Sequence, residues 1–96
     1  MPTARGGSKK PDSPYHLLVE RRATADLDAM EAGDWKRVDR KIVALASDPT
    51  PFGCEKLAAH TYRIRCGDWR VLYTVNDDTR EVVIGRVKRR NERTYR

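Results

Sequence analysis

The sequence predicts an α+β domain in which a helical hairpin packs on a small antiparallel sheet. The strongest observation is a pair of alternating runs, residues 62–66 and 69–73, joined by Gly67 and Asp68. A two-residue link that contains glycine between such runs is typical of a β-hairpin with a primed turn. Apolar residues at helical spacing precede the hairpin, and a β-branched run at 81–88 follows it.

The predicted hairpin has two faces, because side chains directly across an antiparallel pair lie on the same face. One face is apolar and is expected to join the core: Tyr62, Ile64, Cys66, Trp69, Val71 and Tyr73. The other carries Arg63, Arg65 and Arg70, with Arg65 opposite Arg70. Like charges placed in this way destabilise a sheet, so we interpret the cluster as a surface that meets a polyanion. The alternative is a solvated face with unrelated arginines.

A first strand and two helices are predicted before the hairpin. Residues 15–20 are apolar and partly β-branched, which suits a strand. The first helix is predicted to end at Gly33, since glycine is favoured just after a helix C-terminus. Asp34 is then the predicted N-cap of the second helix. The buried stripe of that helix is predicted from its apolar spacing: Trp35, Val38, Ile42 and Leu45.

The remaining segments are predicted to lack regular structure. Residues 1–13 are expected to be a disordered basic arm, which leaves 14–96 as the folded domain. Residues 48–60 contain prolines and a glycine and are expected to be an irregular connector, anchored to the core by Leu57. Residues 89–96 are expected to be a short C-terminal tail or helix.

The last strand is placed by setting Val75 opposite Arg80, across a turn signal at 76–79. In this register Arg70 lies opposite Gly85. Alternation then adds further residues to the arginine face: Val83, Gly85, Val87 and Arg89. Gly85 would let a ligand's backbone approach, although a bulge or a small packing residue explains a glycine there equally well.

Charge and composition indicate a nucleic-acid surface on a soluble protein. The 96 residues suit one domain, and 20 Lys and Arg against 14 Asp and Glu give a net charge of +6. Residues 60–96 hold ten basic and five acidic residues, a net +5, which favours nucleic-acid binding by that part. No apolar run approaches the roughly 20 residues of a membrane helix, and the N-terminus lacks the apolar core of a signal peptide. We therefore expect a cytoplasmic protein with no membrane partner. We also expect it to be a monomer when alone.

The cysteines do not predict a metal site or a disulfide framework. Cys54 and Cys66 lack metal-binding spacing and have no second pair to join. Both are expected to be free thiols, with Cys66 acting as a small core residue. No metal or cofactor is predicted.

Three stretches of the sequence together resemble the RelE/ParE family of bacterial type II toxins. They are Tyr62-Arg63-Ile64-Arg65, Gly67-Asp68-Trp69-Arg70-Val71-Leu72-Tyr73 and Val87-Lys88-Arg89-Arg90-Asn91-Glu92-Arg93-Thr94-Tyr95. The order of predicted elements is also similar, so the likeness extends over residues 15–96 and implies a RelE-like fold. It further implies a ribosome-dependent endoribonuclease that cuts A-site mRNA beside the 16S rRNA and that a cognate antitoxin holds silent.

The resemblance also implies an active site of two basic residues on one strand, an arginine on the next, an arginine after the last strand and a terminal tyrosine. These fall on Arg63, Arg65, Arg70, Arg89 and Tyr95. The expected reaction is attack of a ribose 2′-hydroxyl on its own 3′-phosphate. Arg70 would stabilise the phosphorane and Arg89 the leaving group, Arg63 and Arg65 would assist by charge, and Tyr95 would stack on a base. Further residues would hold RNA phosphates: Lys88, Arg90, Arg93 and Arg96.

A conventional general base is missing from these positions. Enzymes similar to this one often carry lysines where this chain has Arg63 and Arg65, and an arginine hardly deprotonates in proteins. His60 and Glu92 are the candidate bases. The alternatives are that His60 merely begins the strand and that Glu92 is a solvated charge. The ribosome is a further possible source of proton chemistry, and His16 is interpreted as structural.

Two other functions remain open. A ParE-type toxin of the same fold would poison DNA gyrase without cleaving RNA, and a small basic module would only bind nucleic acid. The antitoxin is expected to contribute an acidic, amphipathic segment that folds on binding. Its contact surface is either the apolar grooves beside the helical hairpin or the basic face.

Overall fold

The computed structural model describes residues 14–89 and confirms the α+β class. Its elements are β1 (His16–Val19), α1 (Arg21–Asp28), α2 (Ala32–Ala44), β2 (Glu55–Ala58), β3 (Thr61–Cys66), β4 (Trp69–Asn76) and β5 (Glu81–Arg89). Strands β3 to β5 form the predicted antiparallel sheet, and β2 extends it beside β3. Strand β1 joins the other edge parallel to β5, which makes the five-stranded sheet mixed. The arm at 1–13 and the tail at 90–96 lie outside the described residues.

The core lies between the two helices and one face of the sheet. Its buried side chains come from both layers: Ala23, Leu27, Val38, Ile42, Leu45, Ile64, Val71, Tyr73, Val75, Val82, Ile84 and Val87. The hairpin residues in this set belong to the face predicted to be apolar. On the opposite face of β3, β4 and β5 no described side chain is fully buried, so that face is open to a ligand.

The hairpin of β3 and β4 has the predicted register throughout. Arg65 lies opposite Arg70, and Cys66 lies opposite Trp69. Gly67 has a φ of +60°, whereas the φ of Asp68 is not positive. This is the pattern of a type II′ turn, in which only the first central residue is left-handed.

Substituting Gly67 by alanine is expected to destabilise the protein by about 1–2 kcal/mol, because an L-residue pays that cost in the left-handed region. A Cβ at Gly67 would meet nothing within 4 Å, so the cost is backbone strain and not crowding. Gly33→Ala is the matched control, since Gly33 lies in α2 and its Cβ would also meet nothing within 4 Å. In urea unfolding, Gly33→Ala should raise the free energy of unfolding, because alanine favours a helix more than glycine does. Equal effects of the two substitutions would contradict the turn assignment.

The helices begin and end at other residues than predicted. Helix α1 is followed by Ala29 as C-cap, and Gly33 lies in the first turn of α2, whose N-cap is Glu31. Glycine is tolerated there because the first N–H groups of a helix have no intrahelical partner. Asp34 also lies in the first turn, where its negative charge interacts favourably with the helix dipole. Its carboxylate accepts a hydrogen bond of 2.6 Å from Arg37.

The prediction that Trp35 is a core residue is wrong. Val38, Ile42 and Leu45 are buried, but Trp35 is 40% exposed. At roughly 100° per residue, Trp35 falls at the margin of the stripe that the other three form around the helix axis. Apolar spacing alone therefore overestimated the width of the buried face.

Part of the predicted connector is a strand. Strand β2 pairs with β3, with Glu55 opposite Arg63, although all four of its residues are exposed. Leu57 sits at an irregularity in this pairing and is 46% exposed, so it does not anchor the segment. The anchor is the buried Tyr73, whose hydroxyl donates a hydrogen bond of 2.7 Å to the carbonyl of Pro49. Burial raises the pKa of the Tyr73 hydroxyl well above its ordinary value of 10.0, which keeps it a donor.

Strands β4 and β5 pair two residues further on than predicted. Val75 lies opposite Val82 and not opposite Arg80, and Asn76 lies opposite Glu81. The turn between them is stabilised by the Asn76 side chain, which accepts two backbone N–H groups, and Arg80 adopts a left-handed φ of 55°. A shift of two residues leaves each side chain on its predicted face, because the side-chain period of a strand is two.

A bulge at Gly85 then changes the faces. Tyr73 lies opposite Ile84 while Leu72 lies opposite Arg86, so Gly85 is the extra residue. One extra residue moves every later side chain to the other face of the sheet.

The bulge overturns part of the predicted arginine face. Arg86 and Lys88 lie on that face instead of Val87 and Arg89. Val87 is buried against the helices at 2% exposure. Val83, which precedes the bulge, lies where it was predicted.

Candidate nucleic-acid interface

Five basic residues share the open face of the sheet, and we call this set the cationic face. They are Arg63 and Arg65 of β3, Arg70 of β4, and Arg86 and Lys88 of β5. Arg65, Arg70 and Lys88 are paired in one row across three strands, where neighbouring strands lie about 4.8 Å apart. Like charges directly opposite one another cost stability, so the row is suited to a bound polyanion that offsets the repulsion.

Arg70 occupies the centre of this row and has an unsatisfied donor. Its Nε atom is buried and has no hydrogen-bond partner among the described residues. A buried donor left without a partner costs about 1–3 kcal/mol. A phosphate oxygen that reached this atom would recover part of that cost.

Arg63 is paired with Glu55, a carboxylate that was not predicted from the sequence to lie on this face. Its Nε donates a hydrogen bond of 2.8 Å to Glu55 Oε1, and its Nη2 donates to the same oxygen. These bonds and the charge of Arg63 lower the pKa of the Glu55 carboxyl, and the charges of Arg65 and Arg70 add to the effect. Glu55 was missed because β2 was interpreted as an irregular connector. Without the alternation of a strand, the side of the sheet on which Glu55 lies could not be predicted.

Arg86 is held by helix α1. Its Nε donates to Asp26 Oδ2 at 2.8 Å and its Nη2 to Oδ1 at 3.2 Å. The backbone N–H of Val87 donates to the same Oδ2 at 2.8 Å. Strand β1 ends at Val19, opposite Ile84, so the N–H of Val87 lies beyond the part of β5 that pairs with β1. Asp26 accepts the hydrogen bond that a neighbouring strand would otherwise accept.

Arg89 is not brought onto the cationic face. It lies opposite Trp69 in the sheet, and its guanidinium carbon stands over the indole, 4.9 Å from the ring centroid. The predicted grouping of Arg89 with Arg65 and Arg70 is therefore wrong as a statement about faces. Lys88 is the β5 residue that the structure places beside Arg70.

The two histidines lie away from the row. His60 precedes β3 at the end where Thr61 pairs with Thr74, and five residues of strand separate it from Arg65, about 16 Å at the usual rise. His16 lies on β1 at the other edge of the sheet, opposite Glu81. The other candidates of the predicted site lie outside the described residues: Arg90, Glu92, Arg93, Tyr95 and Arg96.

The described residues offer no obvious metal site. Within 14–89, no group of three or more His, Cys, Asp or Glu side chains is placed to hold a metal ion. Cys54 and Cys66 are free thiols, and both are partly buried. In the same range no helix is long and apolar enough to span a bilayer.

Comparison with known proteins identifies the family. The family described as the ParE toxin of type II toxin–antitoxin system, parDE, matches residues 17–94. RelE1 of Methanocaldococcus jannaschii is 28% identical over 81 residues, 79% of this chain and 90% of that protein. A chain of the RelE–RelB complex of Pyrococcus horikoshii superposes with a TM-score of 0.76 at 25% identity, over 83% of this chain and 99% of that one. A chain of the RelBE2 toxin–antitoxin complex of Mycobacterium tuberculosis gives 0.72 at 28% identity, over 81% and 100%. The protein therefore belongs to the ParE toxin family of type II toxin–antitoxin systems, within the RelE/ParE superfamily.

Proposed function

We propose that this toxin is a RelE-type mRNA interferase, an endoribonuclease that cuts mRNA in the ribosomal A site and so inhibits translation in the cytoplasm. The observation that carries the proposal is the row of Arg65, Arg70 and Lys88 on an open sheet face. Two of the compared proteins at 25% identity or more carry the name RelE, which supports the same branch.

The cationic face suits cleavage by the ribose 2′-hydroxyl. That reaction needs the attacking oxygen aligned with the phosphorus and the extra charge of the phosphorane stabilised. Arg70 is assigned the phosphorane oxygens, because its buried Nε lacks a partner within the described chain. Arg65 and Lys88 flank it and would hold the equatorial oxygens or the adjacent phosphates.

The residues beyond the cationic face keep the roles implied by the family resemblance. Arg89 is proposed to act near the leaving group, for which its side chain would have to turn away from Trp69. Tyr95 is proposed to stack on a base. The remaining basic residues of the tail are proposed to hold RNA phosphates: Arg90, Arg93 and Arg96.

A cognate antitoxin is the proposed partner, because the P. horikoshii and M. tuberculosis structures are toxin–antitoxin complexes. The open face offers it two kinds of surface. Beside the cationic face lies a shallow, partly apolar groove lined in part by Leu72, Val83 and Gly85. An acidic, amphipathic segment would match both surfaces and would block RNA. The toxin alone is proposed to be a monomer.

Cleavage on programmed ribosomes tests the proposal. Antitoxin-free protein is incubated with ribosomes that carry a defined mRNA, and the new 5′ ends are mapped by primer extension. We expect cuts within the A-site codon and none in free mRNA. A 2′-deoxy substitution at the scissile nucleotide should abolish them. Absence of cleavage by the folded protein would overturn the proposal.

A ParE-type gyrase poison is the second candidate, favoured by the description of the matching family. Expression without antitoxin would then cause DNA damage and filamentation while mRNA stays intact. Gyrase-dependent DNA breaks in a purified system, without ribosomal cleavage, would establish it in place of the first candidate.

A further inference from the structure

The reaction proposed above needs a group that accepts the proton of the 2′-hydroxyl. Guanidinium groups are donors without an acceptor lone pair, so the arginines of the cationic face do not supply one. Lys88 could accept a proton only after losing its own, and as an ammonium beside Arg70 it serves as a charge. His60 lies at the far end of β3 from Arg65. We propose that Glu55 is a catalytic residue, the general base for this step, an inference that rests on the proposed endoribonuclease function.

The sheet register directs Glu55 toward the phosphate site. Glu55 lies directly opposite Arg63 across β2 and β3, and paired residues share a face. Its carboxylate therefore lies on the cationic face, one row from Arg65 and Arg70. The side chain is 55% exposed, so a bound RNA can reach it.

One carboxylate oxygen is positioned and the other is available. Oε1 accepts both hydrogen bonds from Arg63, which fixes the carboxylate relative to β3. Within residues 14–89, no hydrogen bond reaches Oε2. The arrangement leaves a lone pair on Oε2 beside a phosphate-binding row, as a general base requires.

The charges around Glu55 keep it ready to accept a proton. Arg63, Arg65 and Arg70 hold the pKa of its carboxyl below the ordinary value of 4.5, so it is ionised in the free protein at neutral pH. A bound phosphate would neutralise part of this positive charge and place negative charge nearby. The proton affinity of Glu55 should therefore rise when RNA is bound, when the transfer is needed.

The step balances without a metal or cofactor. Glu55 Oε2 takes the proton of the 2′-hydroxyl as O2′ forms a bond to phosphorus. The P–O5′ bond breaks, its electron pair stays on O5′, and O5′ takes a proton from water. The products are a 2′,3′-cyclic phosphate, a 5′-hydroxyl and a hydroxide ion, which removes the proton from Glu55 and restores both water and the carboxylate.

The test compares Glu55→Gln with wild type and with Glu81→Gln in single-turnover cleavage on programmed ribosomes. Glu81 is the matched control, since it lies on the same sheet face but at the end where it pairs with Asn76. We expect Glu55→Gln to lower the cleavage rate by about 10²–10⁴-fold, the usual contribution of a general base. Glu81→Gln should cleave like wild type. Unfolding curves should coincide, because an exposed ion pair contributes little to stability.

Two further readouts separate a base from a residue that only orients Arg63. The wild-type rate should be constant above the pKa of Glu55 and fall below it as acid protonates the carboxylate, whereas the residual rate of Glu55→Gln should rise with the hydroxide concentration through both ranges. When sulfur replaces O5′ in the substrate, the leaving group departs as a thiolate and needs no proton. The lower cleavage rate of Glu55→Gln should therefore persist on this substrate. An unchanged pH profile, or loss of the defect with the sulfur substrate, would overturn the assignment as base.

The outcomes also separate this inference from the proposed function. If wild type does not cleave, the endoribonuclease proposal fails and this inference fails with it. If wild type cleaves and Glu55→Gln cleaves equally fast, the enzyme assignment stands and Glu55 is only a surface ion-pair partner.

Discussion

Arg70→Ala is expected to lower the rate of the proposed ribosome-dependent mRNA cleavage by about 10²–10³-fold, the loss usually seen when one donor to a transition-state oxygen is removed. Arg70 lies between Arg65 and Lys88 in the cationic row and holds the buried, unpartnered Nε. Its removal therefore takes away the central charge and a donor that the described chain does not use. Single-turnover cleavage on programmed ribosomes measures the effect.

Two variants make the Arg70 result specific. Arg40→Ala removes an exposed arginine from α2 and should leave cleavage unchanged. Arg70→Leu keeps apolar bulk while it removes the like-charge contacts and the unsatisfied donor, so its free energy of unfolding should be no lower than that of wild type. Normal cleavage by Arg70→Ala, or a large loss of stability in Arg70→Leu, would show that Arg70 serves the fold and not the RNA.

Asp26→Ala is expected to lower the free energy of unfolding by about 1.5–3 kcal/mol, the range for hydrogen bonds to a charged group. The Asp26 side chain is only 18% exposed and accepts from both the Arg86 side chain and the Val87 backbone. Its loss would leave the Val87 N–H without this partner at the edge of β5 and remove two hydrogen bonds from Arg86. Asp28→Ala in the same helix, at an exposed position, is the control and should change stability little.

The same carboxylate predicts a pH dependence of stability. Partial burial by itself would raise the pKa of Asp26, but the hydrogen bonds from Arg86 and Val87 and the nearby positive charges outweigh it and lower the pKa below 3.8. A lowered native pKa stabilises the fold at pH values above the unfolded pKa, and this contribution is lost as the pH falls through the native pKa. Urea midpoints of wild type should therefore decline below about pH 4, near the ordinary pKa of an aspartate. In Asp26→Asn this decline should be shallower, and parallel declines would contradict the assignment.

The hairpin could be predicted from sequence because its register is local. Alternation on both sides of Gly67 and Asp68 determines which side chains face each other, and Arg65 and Arg70 lie opposite each other as predicted. The pairing of β4 with β5 could not be predicted in the same way. Its faces depend on whether Gly85 forms a bulge, and a glycine in a strand is equally consistent with other roles.

The candidate site was predicted only in part for the same reason. Three arginines of the hairpin were placed on the right face, whereas Lys88 and Arg86 replace Arg89 there. Glu55 was missed because β2 is an exposed edge strand, held by backbone hydrogen bonds that leave no apolar pattern in the sequence. Trp35 shows the converse error, since an apolar residue at helical spacing lies at the margin of the buried stripe.

The Gly85 bulge limits how the sequence of β5 can change in this protein. If the part of β5 after Gly85 slipped by one position so that Arg89 joined the cationic face, Arg86 and Lys88 would enter the hydrophobic interior and Val87 would leave it. Burying two unpaired cations would lower the stability of the fold far more than an ordinary point mutation does. Substitution of a single basic residue on the cationic face is therefore a more accessible route to a change in the proposed activity than a change in the register of β5.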